Sequence, residues 1–410
     1  MNILFLHRNF PAQFRFIAQS LASDKNNEVV FITNNDKLEL KGIQKLVYKT
    51  KREVPKDCHS YLRFYEDSII HAQAAAEVAL RLKSQGFKPD IIYGHTWGPT
   101  MFMKDIFPDV PLLCYFEWFY NAQDSDVDFN KKSLNENSKA QLRCKNSHLL
   151  VDLYTCDAGI SPTNWQKNQF PATFHNKIKV IHDGVDTDFC KPDPSATFTV
   201  KEMNLSLSKK DEVITYATRG MEAYRGFPEF MKAVEKLLKE RPNLHVVIAG
   251  EDRVCYGPKL IGSTYKQEAL KNLDLDLNRI HFVGGLPLIE YVKLLQISKV
   301  HTYLTYPFVL SWSLLDALST GCLVVASDTK PVTEVITNNE NGLLVDFFDI
   351  NALVSKITYA LDNQHELETI RYNARKTILN NYALTDLLPK QIEYIKSLTR
   401  NMQTQINSSL

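Results

Sequence analysis

The sequence predicts an α/β protein with two doubly wound parallel sheets, one in each half of the chain. First, short apolar runs alternate with helical spacings through residues 1–185, as in a parallel sheet covered by helices. Second, this alternation restarts after residues 186–210, which are polar and contain prolines as a domain linker does. Third, the segment 301–345 has the order strand, loop, short helix, strand, helix, strand. We therefore expect two similar domains in tandem.

The first half contains apolar runs whose lengths fit buried parallel strands. These predicted strands are Asn2–Leu6, Glu28–Thr33, Asp90–Tyr93, Pro111–Phe116, Ala158–Ile160 and Lys177–Ile181. Stretches with helical spacing or many alanines separate the strands, as the crossovers of a parallel sheet require. The predicted helices are Ala12–Ala22, Leu62–Ser84, Thr100–Ile106 and Ser138–Tyr154.

The second half repeats this pattern after residue 210. Its predicted strands are Val213–Ala217, Leu244–Ala249, Ile280–Val283, Val300–Leu304 and Cys322–Ala326. Its predicted helices are Phe227–Glu240, Trp312–Thr320 and Ile350–Leu361. Pro228 fits the first turn of a helix, and Ser311 and Gly321 are typical of a helix start and a helix end. We expect a last helix, residues 385–400, to pack back on the first domain, and residues 401–410 to be frayed.

Composition excludes several classes of protein. The 410 residues carry a net charge of +1, which argues against nucleic acid as the main partner. The seven cysteines show no C-x-x-C spacing, so we expect a reducing compartment and neither a disulfide framework nor structural zinc. No apolar run is long enough for a transmembrane helix, and the short apolar start does not fit a signal peptide. We expect a cytoplasmic protein.

The segment Lys37–Lys56 holds seven basic residues. A solvated face explains such a pattern, and so does a patch that meets anionic lipid or an anionic acceptor. Both interpretations remain open, and the second would allow peripheral attachment at the inner face of a membrane.

Two loops in the second half fit an anion site. Ser311, Trp312 and Ser313 open a helix directly after a strand, so their free backbone N–H groups would face a ligand at the carboxyl edge of the sheet. We expect that ligand to be a diphosphate. Arg219 and Arg225 lie in a second loop of the same kind, where two guanidinium groups could clamp its oxygens. The alternative is a pair of surface arginines.

Several motifs occur in an order that carries a resemblance. They are NFPAQFRFIA at 9–18, HDGVDTDFCKP at 182–192, TRGMEAYRGFPEF at 218–230, VVIAGEDRVCYG at 246–257, RIHFVGGLP at 279–287 and the block 301–345. The chain resembles family-4 glycosyltransferases of the GT-B fold, in the subgroup that begins with an NFPxQF motif. Any one of these motifs is weak, but the ordered set is specific and spans nearly the whole chain.

The resemblance implies two Rossmann-like domains that face a cleft. Residues 1–185 would bind the acceptor, and residues 191–380 would bind the nucleotide sugar. It implies retaining transfer of a sugar from a UDP- or GDP-sugar to a glycan, lipid-linked or small-molecule acceptor. No metal and no cofactor would be required. By analogy, we expect a role in surface polysaccharide or glycoconjugate synthesis.

The resemblance also assigns roles in donor binding. The family's basic pair falls on Arg219 and Arg225, and the carboxylate that would hold the donor ribose falls on Asp316. Val283 and Gly284 match the loop whose backbone meets the nucleobase.

Three more residues are donor-site candidates from their positions in the chain. Glu251 follows a strand end and would line the same crevice. Ala12 and Gln13 open the first helix and would face the donor, with the small Ala12 admitting a sugar phosphate.

Two departures from the family pattern concern the donor sugar and the chemistry. Phe308 stands where many members carry the first of two glutamates, and Asp316 shortens the second, so sugar recognition cannot be carried over. Glu117 stands where many members have a histidine, and we expect it to contact the donor sugar or the acceptor hydroxyl. It could accept the acceptor's proton, although the leaving phosphate could do so instead. For Glu117 and for His95, which ends a neighbouring strand, a structural role remains open.

Three alternatives to a glycosyltransferase of this kind remain. One is a catalytically impaired protein that binds sugar nucleotides, which the departures at Phe308 and Asp316 would support. Another is a nucleotide-sugar epimerase or hydrolase with the same architecture. A third is a transferase that modifies nucleic-acid bases, which the near-neutral charge disfavours.

Overall fold

The computed structural model describes residues 1–130 and 134–409 of the chain. These residues form two compact units of similar size. Unit 1 consists of residues 1–184 together with 385–410, and unit 2 consists of residues 185–384. Each unit is built on its own parallel sheet.

The sheet of unit 1 has the strand order β3-β2-β1-β4-β5-β6-β7, and all its neighbouring strands are parallel. Its strands are β1 Asn2–His7, β2 Glu28–Thr33, β3 Ile43–Val47, β4 Ile91–His95, β5 Leu112–Tyr115, β6 Ala158–Ser161 and β7 Ile178–Val180. Both faces of the sheet are buried, as β1 shows. Its residues Ile3 and Phe5 belong to one hydrophobic cluster, while Leu4 and Leu6 belong to another. A strand buried on both faces must be apolar throughout, which is why these runs were recognisable in the sequence.

The sheet of unit 2 has the order β12-β11-β10-β13-β14-β15 and is also parallel. A separate antiparallel hairpin precedes it. The strands are β8 Thr197–Val200 and β9 Leu205–Ser208 in the hairpin, then β10 Glu212–Gly220, β11 Leu244–Glu251, β12 Ile280–Gly284, β13 Val300–Tyr303, β14 Leu323–Ser327 and β15 Leu343–Val345. The two parallel sheets with their crossover helices confirm the predicted fold class.

Most helices lie in the crossovers between parallel strands, whereas α12, α13 and α14 follow the last strand. In unit 1 they are α1 Arg15–Ser23, α2 Arg63–Ser84, α3 Met103–Ile106, α4 Glu136–Lys145, α5 Ser147–Thr155 and α6 Asn164–Lys167. In unit 2 they are α7 Phe227–Glu240, α8 Tyr265–Asn272, α9 Leu288–Ile297, α10 Trp312–Ser319, α11 Lys330–Thr333, α12 Ile350–Asp362 and α13 Glu368–Asn381. The last helix, α14 Leu384–Ser409, packs on unit 1, where Ile395 joins the cluster that contains Ile3.

Several predicted elements were wrong in extent. The stretch 186–210 is not only a linker, because it contains the hairpin β8–β9, whose Phe198 is fully buried. Helix Ala12–Ala22 begins as a 3-10 turn at Ala12–Phe14, and the basic segment Lys37–Lys56 contains the strand β3. The backbone of α14 is helical to Ser409 rather than frayed from residue 401.

The predicted helix Ser138–Tyr154 is two helices that meet at Asn146. The buried side chain of Asn146 accepts a hydrogen bond from the backbone N–H of Tyr120 at 2.9 Å and donates one to the Tyr120 carbonyl at 2.8 Å. The side chain of Asn146 therefore holds the loop that follows β5. The helical segment is interrupted at this residue.

Candidate functional site

In unit 2 two loop-to-helix junctions meet at the carboxyl ends of adjacent strands. The loop after β10 leads to α7, and the loop after β13 leads to α10. Arg225, in the first loop, donates from Nη1 to the Thr305 hydroxyl at 2.7 Å and to the Val309 carbonyl at 3.0 Å, both in the second loop. The backbone N–H of Ser311 donates to the Tyr303 hydroxyl at 2.9 Å. The two segments that the sequence analysis singled out therefore lie side by side.

A small pocket opens between these junctions. It has about 10 Å³ of free volume, roughly the room of one water molecule, so one phosphate oxygen fits. The polar groups that line it are those of Thr218, Arg225, Thr302, Tyr303, Ser311 and Ser313. The buried hydroxyl of Thr302 has no hydrogen-bond partner in the described residues and is available to a ligand.

Arg225 supplies the charged group in the lining of this pocket. Its side chain is only 5% exposed, and in the parts of the chain that the structure describes no carboxylate lies within 4 Å of it. Because a guanidinium group is always charged in proteins, burying it without a direct ion pair is costly. The buried carboxylate of Glu222 attracts it electrostatically, but that carboxylate is held by backbone N–H groups.

An anion at the adjacent helix start would compensate the charge of Arg225. The prediction that the backbone N–H groups of Ser311 and Ser313 are free is wrong, because the first donates to the Tyr303 hydroxyl and the second to the capping hydroxyl of Ser311. A phosphate oxygen would have to replace these contacts.

The other predicted donor residues of unit 2 lie around the pocket without lining it. Arg219 is exposed, and Trp312, the first residue of α10, is 49% exposed. Glu251 is also exposed, and its carboxylate pairs with Arg253 at 2.7 Å.

Val283 and Gly284 end the edge strand β12, two strands away from β10. Gly284 adopts a positive φ of 68°, and a Cβ there would meet no atom within 4 Å, so its backbone is open to a ligand.

Asp316 lies one turn into α10 and is half-buried. Its carboxyl group accepts a hydrogen bond from the Tyr291 hydroxyl at 3.3 Å, and the Cys190 thiol lies 3.8 Å away. Burial raises the pKa of Asp316 to about 7, and these two partners oppose the rise. This carboxyl group is therefore poised to change its charge near neutral pH.

Phe308 takes part in an aromatic cluster above Arg225. Its ring lies 5.6 Å from that of Tyr224 and 5.2 Å from that of Tyr256, and the Arg225 guanidinium lies 5.2 Å from the Tyr256 ring. Phe308 is 7% exposed. In this chain the position therefore contributes packing around the buried guanidinium rather than a carboxylate.

Glu222, which was not among the residues predicted from the sequence, holds a loop beside this cluster. Its carboxylate is fully buried and accepts three backbone N–H groups, from Cys255 at 3.1 Å, Tyr256 at 3.0 Å and Gly257 at 2.7 Å. A glutamate in a polar loop looks like a surface residue, so no pattern in the sequence pointed to this role.

We expect Glu222→Gln to release the loop 253–257. A hydrogen bond to a charged group contributes about 1.5–3 kcal/mol, and an amide nitrogen cannot accept the N–H groups that the lost oxygen held. Hydrogen exchange at 255–257, measured by mass spectrometry, should become at least roughly tenfold faster. Glu229→Gln is the matched control, since Glu229 Oε2 has no hydrogen-bond partner in the described residues. Equal exchange in the two variants would refute this role.

In unit 1 the predicted residues Glu117, His95 and Gln13 come together. Gln13 Nε2 donates to Glu117 Oε1 at 2.9 Å, and His95 Nε2 lies 3.5 Å from Glu117 Oε2. The Glu117 side chain is 16% exposed, whereas His95 is 1% exposed. Ala12 precedes Gln13 with a positive φ of 47°, which is strained for a residue with a side chain. The carboxylate thus has one oxygen held by an amide and the other beside an imidazole.

His7 is a further member of this group that the sequence analysis missed. Its ring lies 4.6 Å from that of His95, because β1 and β4 are neighbours in the sheet. Its Nδ1 accepts the N–H of Asn9 at 2.7 Å, and burial, with a smaller effect of His95, lowers its pKa well below the ordinary value. His7 is therefore neutral at physiological pH.

Two family models match this chain. The family model described as "Glycosyl transferase family 4 group" matches residues 25–190, and the one described as "Glycosyl transferases group 1" matches residues 200–377. The chain belongs to the family-4 glycosyltransferases of the GT-B fold. This confirms the family that the sequence resembles, while the assignment to the subgroup beginning with NFPxQF stays a prediction.

Individual relatives are distant. A D-inositol 3-phosphate glycosyltransferase of Corynebacterium efficiens is 25% identical over 68% of this chain, and the match spans 64% of that relative. A sucrose-phosphate synthase structure from Thermosynechococcus elongatus has a TM-score of 0.73 at 14% identity, covering 98% of this chain and 100% of the other. The Anabaena HepE structure in complex with UDP-glucose has a TM-score of 0.66 at 15% identity and covers both chains fully, 100% of each. At these identities the two structures establish the fold alone.

Proposed function

We propose that the protein is a retaining glycosyltransferase that takes a sugar from a nucleoside diphosphate donor held by unit 2. The observation that carries this proposal is the buried Arg225, which forms no ion pair within 4 Å among the described residues and lies beside the start of α10. A donor diphosphate would supply a direct ionic partner. As the diphosphate leaves, its charge grows, and a buried guanidinium then stabilises the transition state more than the ground state.

The positions of the other predicted residues are compatible with the donor contacts that the resemblance implies. Arg219 would reach the outer phosphate oxygens from its exposed position, and the backbone of Val283 and Gly284 would meet the nucleobase. Asp316 would accept hydrogen bonds from the ribose hydroxyls. The Anabaena HepE structure, which has the same fold, is in complex with UDP-glucose, and this supports a nucleotide sugar as the donor.

Unit 1 would bind the acceptor and place its hydroxyl near Glu117. This carboxylate is held by Gln13 and lies beside His95, so it can orient the attacking hydroxyl or accept its proton. The acceptor would be a glycan, a lipid-linked sugar or a small molecule, in the synthesis of surface polysaccharide or glycoconjugate. No metal or cofactor takes part in this proposal.

Membrane contact through Lys37–Lys56 has less support than the sequence suggested. Lys45, Lys51 and Arg52 each form an ion pair with a glutamate, so part of the positive charge is neutralised within unit 1. Within residues 1–130 and 134–409, none of the helices combines the length and the apolar character needed to cross a bilayer.

A thermal-shift screen with UDP-, GDP- and ADP-sugars tests the proposed donor. A ligand at about 100 times its Kd stabilises the fold by about 2.7 kcal/mol, so one nucleotide series should raise Tm clearly above the others. Transfer is then sought by mass spectrometry with a panel of acceptors. Stabilisation without transfer would favour a sugar-nucleotide-binding protein, and isomerisation of the donor alone would favour an epimerase. No stabilisation by any of the donors would contradict the proposal.

Donor binding should strengthen as pH rises through 7. The ionised carboxyl group of Asp316 accepts ribose hydroxyls better than the protonated one does, and its pKa of about 7 leaves it mostly protonated at pH 6. Between pH 6 and 8 the ionised fraction increases about tenfold, and the affinity for UDP-glucose, whose diphosphate does not titrate there, should follow. Calorimetry of the parent protein and of Asp316→Asn checks this. The variant should lack this pH dependence; an equal slope in both proteins would exclude Asp316 as its source.

A further inference from the structure

Six aromatic side chains form a continuous cluster at the carboxyl edge of the sheet in unit 2. They lie in the loops that follow the strands β10, β11, β13 and β15, on the edge where Arg225 also lies. Each ring centre is 4.8–5.6 Å from the next along the series Tyr256, Phe308, Tyr224, Tyr306, Phe347 and Phe348. We call these residues the six-ring cluster. Ligands of open parallel sheets bind at this edge, so the cluster is placed to contact one.

The six-ring cluster presents part of its surface to solvent beside the proposed diphosphate site. Tyr256 is 40% exposed and Phe348 is 42% exposed, whereas Phe308 between Tyr256 and Tyr224 is 7% exposed. The Arg225 guanidinium lies 5.2 Å from the centre of the exposed Tyr256 ring. An aromatic ring that stays half exposed next to a ligand site offers a flat apolar face for that ligand.

The sugar of the proposed donor would have to lie close to this face. Its anomeric carbon is bonded to an oxygen of the diphosphate, so the sugar lies directly beside the group that holds the diphosphate. Arg225 is that group in the proposed function, and its Nη1 donates to the carbonyl of Val309, the residue after Phe308, at 3.0 Å. The sugar would therefore meet the part of the six-ring cluster that contains Tyr256 and Phe308.

The carboxylates of the neighbouring loops are already engaged. Glu222 accepts three backbone N–H groups, and Glu251 pairs with Arg253 at 2.7 Å. Phe308 itself stands where the resemblance would place a glutamate. At this position the sugar would meet ring surfaces, which cannot accept a strong hydrogen bond from a hydroxyl group.

We propose that the donor sugar is a 6-deoxyhexose whose methyl group packs against Phe308 and Tyr256. This inference rests on the proposed function and names the class of its donor sugar. A hexose with a hydroxyl group at C6 would bury that group against the rings, where it loses its hydrogen bonds with water. A methyl group at the same place gains apolar contact instead. Apolar sites discriminate against an added hydroxyl group by up to about 100-fold.

Calorimetry with pairs of donors that differ only at C6 tests the proposal in the parent protein. The pairs are UDP-glucose with UDP-6-deoxyglucose, GDP-mannose with GDP-6-deoxymannose, and ADP-glucose with ADP-6-deoxyglucose. In the nucleotide series that binds, we expect the 6-deoxy donor to bind at least about tenfold more tightly than its parent hexose. Affinities within about threefold of each other, or tighter binding of the parent hexose, would overturn the proposal. In the uridine series, tighter binding of UDP-N-acetylglucosamine than of UDP-6-deoxyglucose would overturn the 6-deoxy class.

Two variants of Phe308 test its role as the residue that determines this specificity. Phe308→Gln supplies a neutral partner for a hydroxyl group and should bring the two donors to within about threefold of each other. Phe308→Leu is the matched control, because it stays apolar and should keep the preference. The measured quantity is the ratio of the two affinities in one protein, so a change in diphosphate binding cancels. Circular dichroism must first show that both variants are folded, and an unchanged ratio in folded Phe308→Gln would exclude Phe308.

The outcomes separate this inference from the proposed function. Binding of one nucleotide series with equal affinities for its two donors would overturn the sugar class and leave the diphosphate site standing. No binding of any of the nucleotides would overturn both.

Discussion

Replacing Arg225 with methionine is expected to weaken binding of the stabilising nucleoside diphosphate at least 100-fold. The change removes the buried charge that faces the start of α10, and 100-fold corresponds to about 2.7 kcal/mol, within the range of charge-assisted hydrogen bonds to phosphate. Arg225→Lys should recover only part of the affinity, because an ammonium group lacks the planar fork of donors. Calorimetry gives the three affinities.

The control for this prediction is Arg253→Met. Arg253 lies on the neighbouring loop, is exposed, and pairs with Glu251. Arg225 also holds Thr305 and Val309, so circular dichroism must first show that the Arg225 variants are folded. A folded Arg225→Met protein that binds the nucleotide within threefold of the parent would exclude this guanidinium as an anchor of the diphosphate.

The second large effect is expected at Glu117. Glu117→Gln keeps the shape of the side chain but removes its charge and its ability to accept a proton. General acid–base groups contribute about 10²–10⁴-fold, so transfer should fall at least about 100-fold. Donor affinity should change little if Glu117 acts on the acceptor hydroxyl, because the proposed diphosphate anchor, Arg225, is retained. Initial rates and calorimetry together measure both quantities.

Glu136→Gln is the matched control, because Glu136 is an exposed glutamate of the same unit that pairs only with Lys139 among the described residues. A rate for Glu117→Gln within threefold of the control would mean that this carboxylate only orders its loop. The leaving phosphate would then be the remaining candidate for the base.

The fold could be predicted from the sequence because its strands are buried on both faces. The side chains of residues 3–6 alternate between two hydrophobic clusters, so each of these residues must be apolar. The resulting apolar run can be recognised as a buried strand from a single sequence. The break at Asn146 could not be predicted, because it depends on hydrogen bonds to Tyr120, which is distant in the sequence. The hairpin β8–β9 was hidden by the prolines and polar residues that precede it.

The candidate site was predictable as a pair of loops but not as individual side chains. Arg219 and Arg225 occur in one short loop, and the sequence does not distinguish them. Arg225 is buried because it contacts residues about 80 positions later in the chain, whereas Arg219 is exposed. His7 stood in an apolar strand without any motif. It meets His95 because a doubly wound sheet places β1 beside β4 rather than beside β3.

The central claim is that the junctions after β10 and β13 bind the diphosphate of a nucleotide sugar. A crystal structure with the nucleotide that gives the largest thermal shift tests this claim most directly. We expect a phosphate oxygen within hydrogen-bonding distance of the Arg225 guanidinium and of the backbone N–H groups that open α10. A nucleotide bound elsewhere, with Arg225 and Ser313 untouched, would contradict the account.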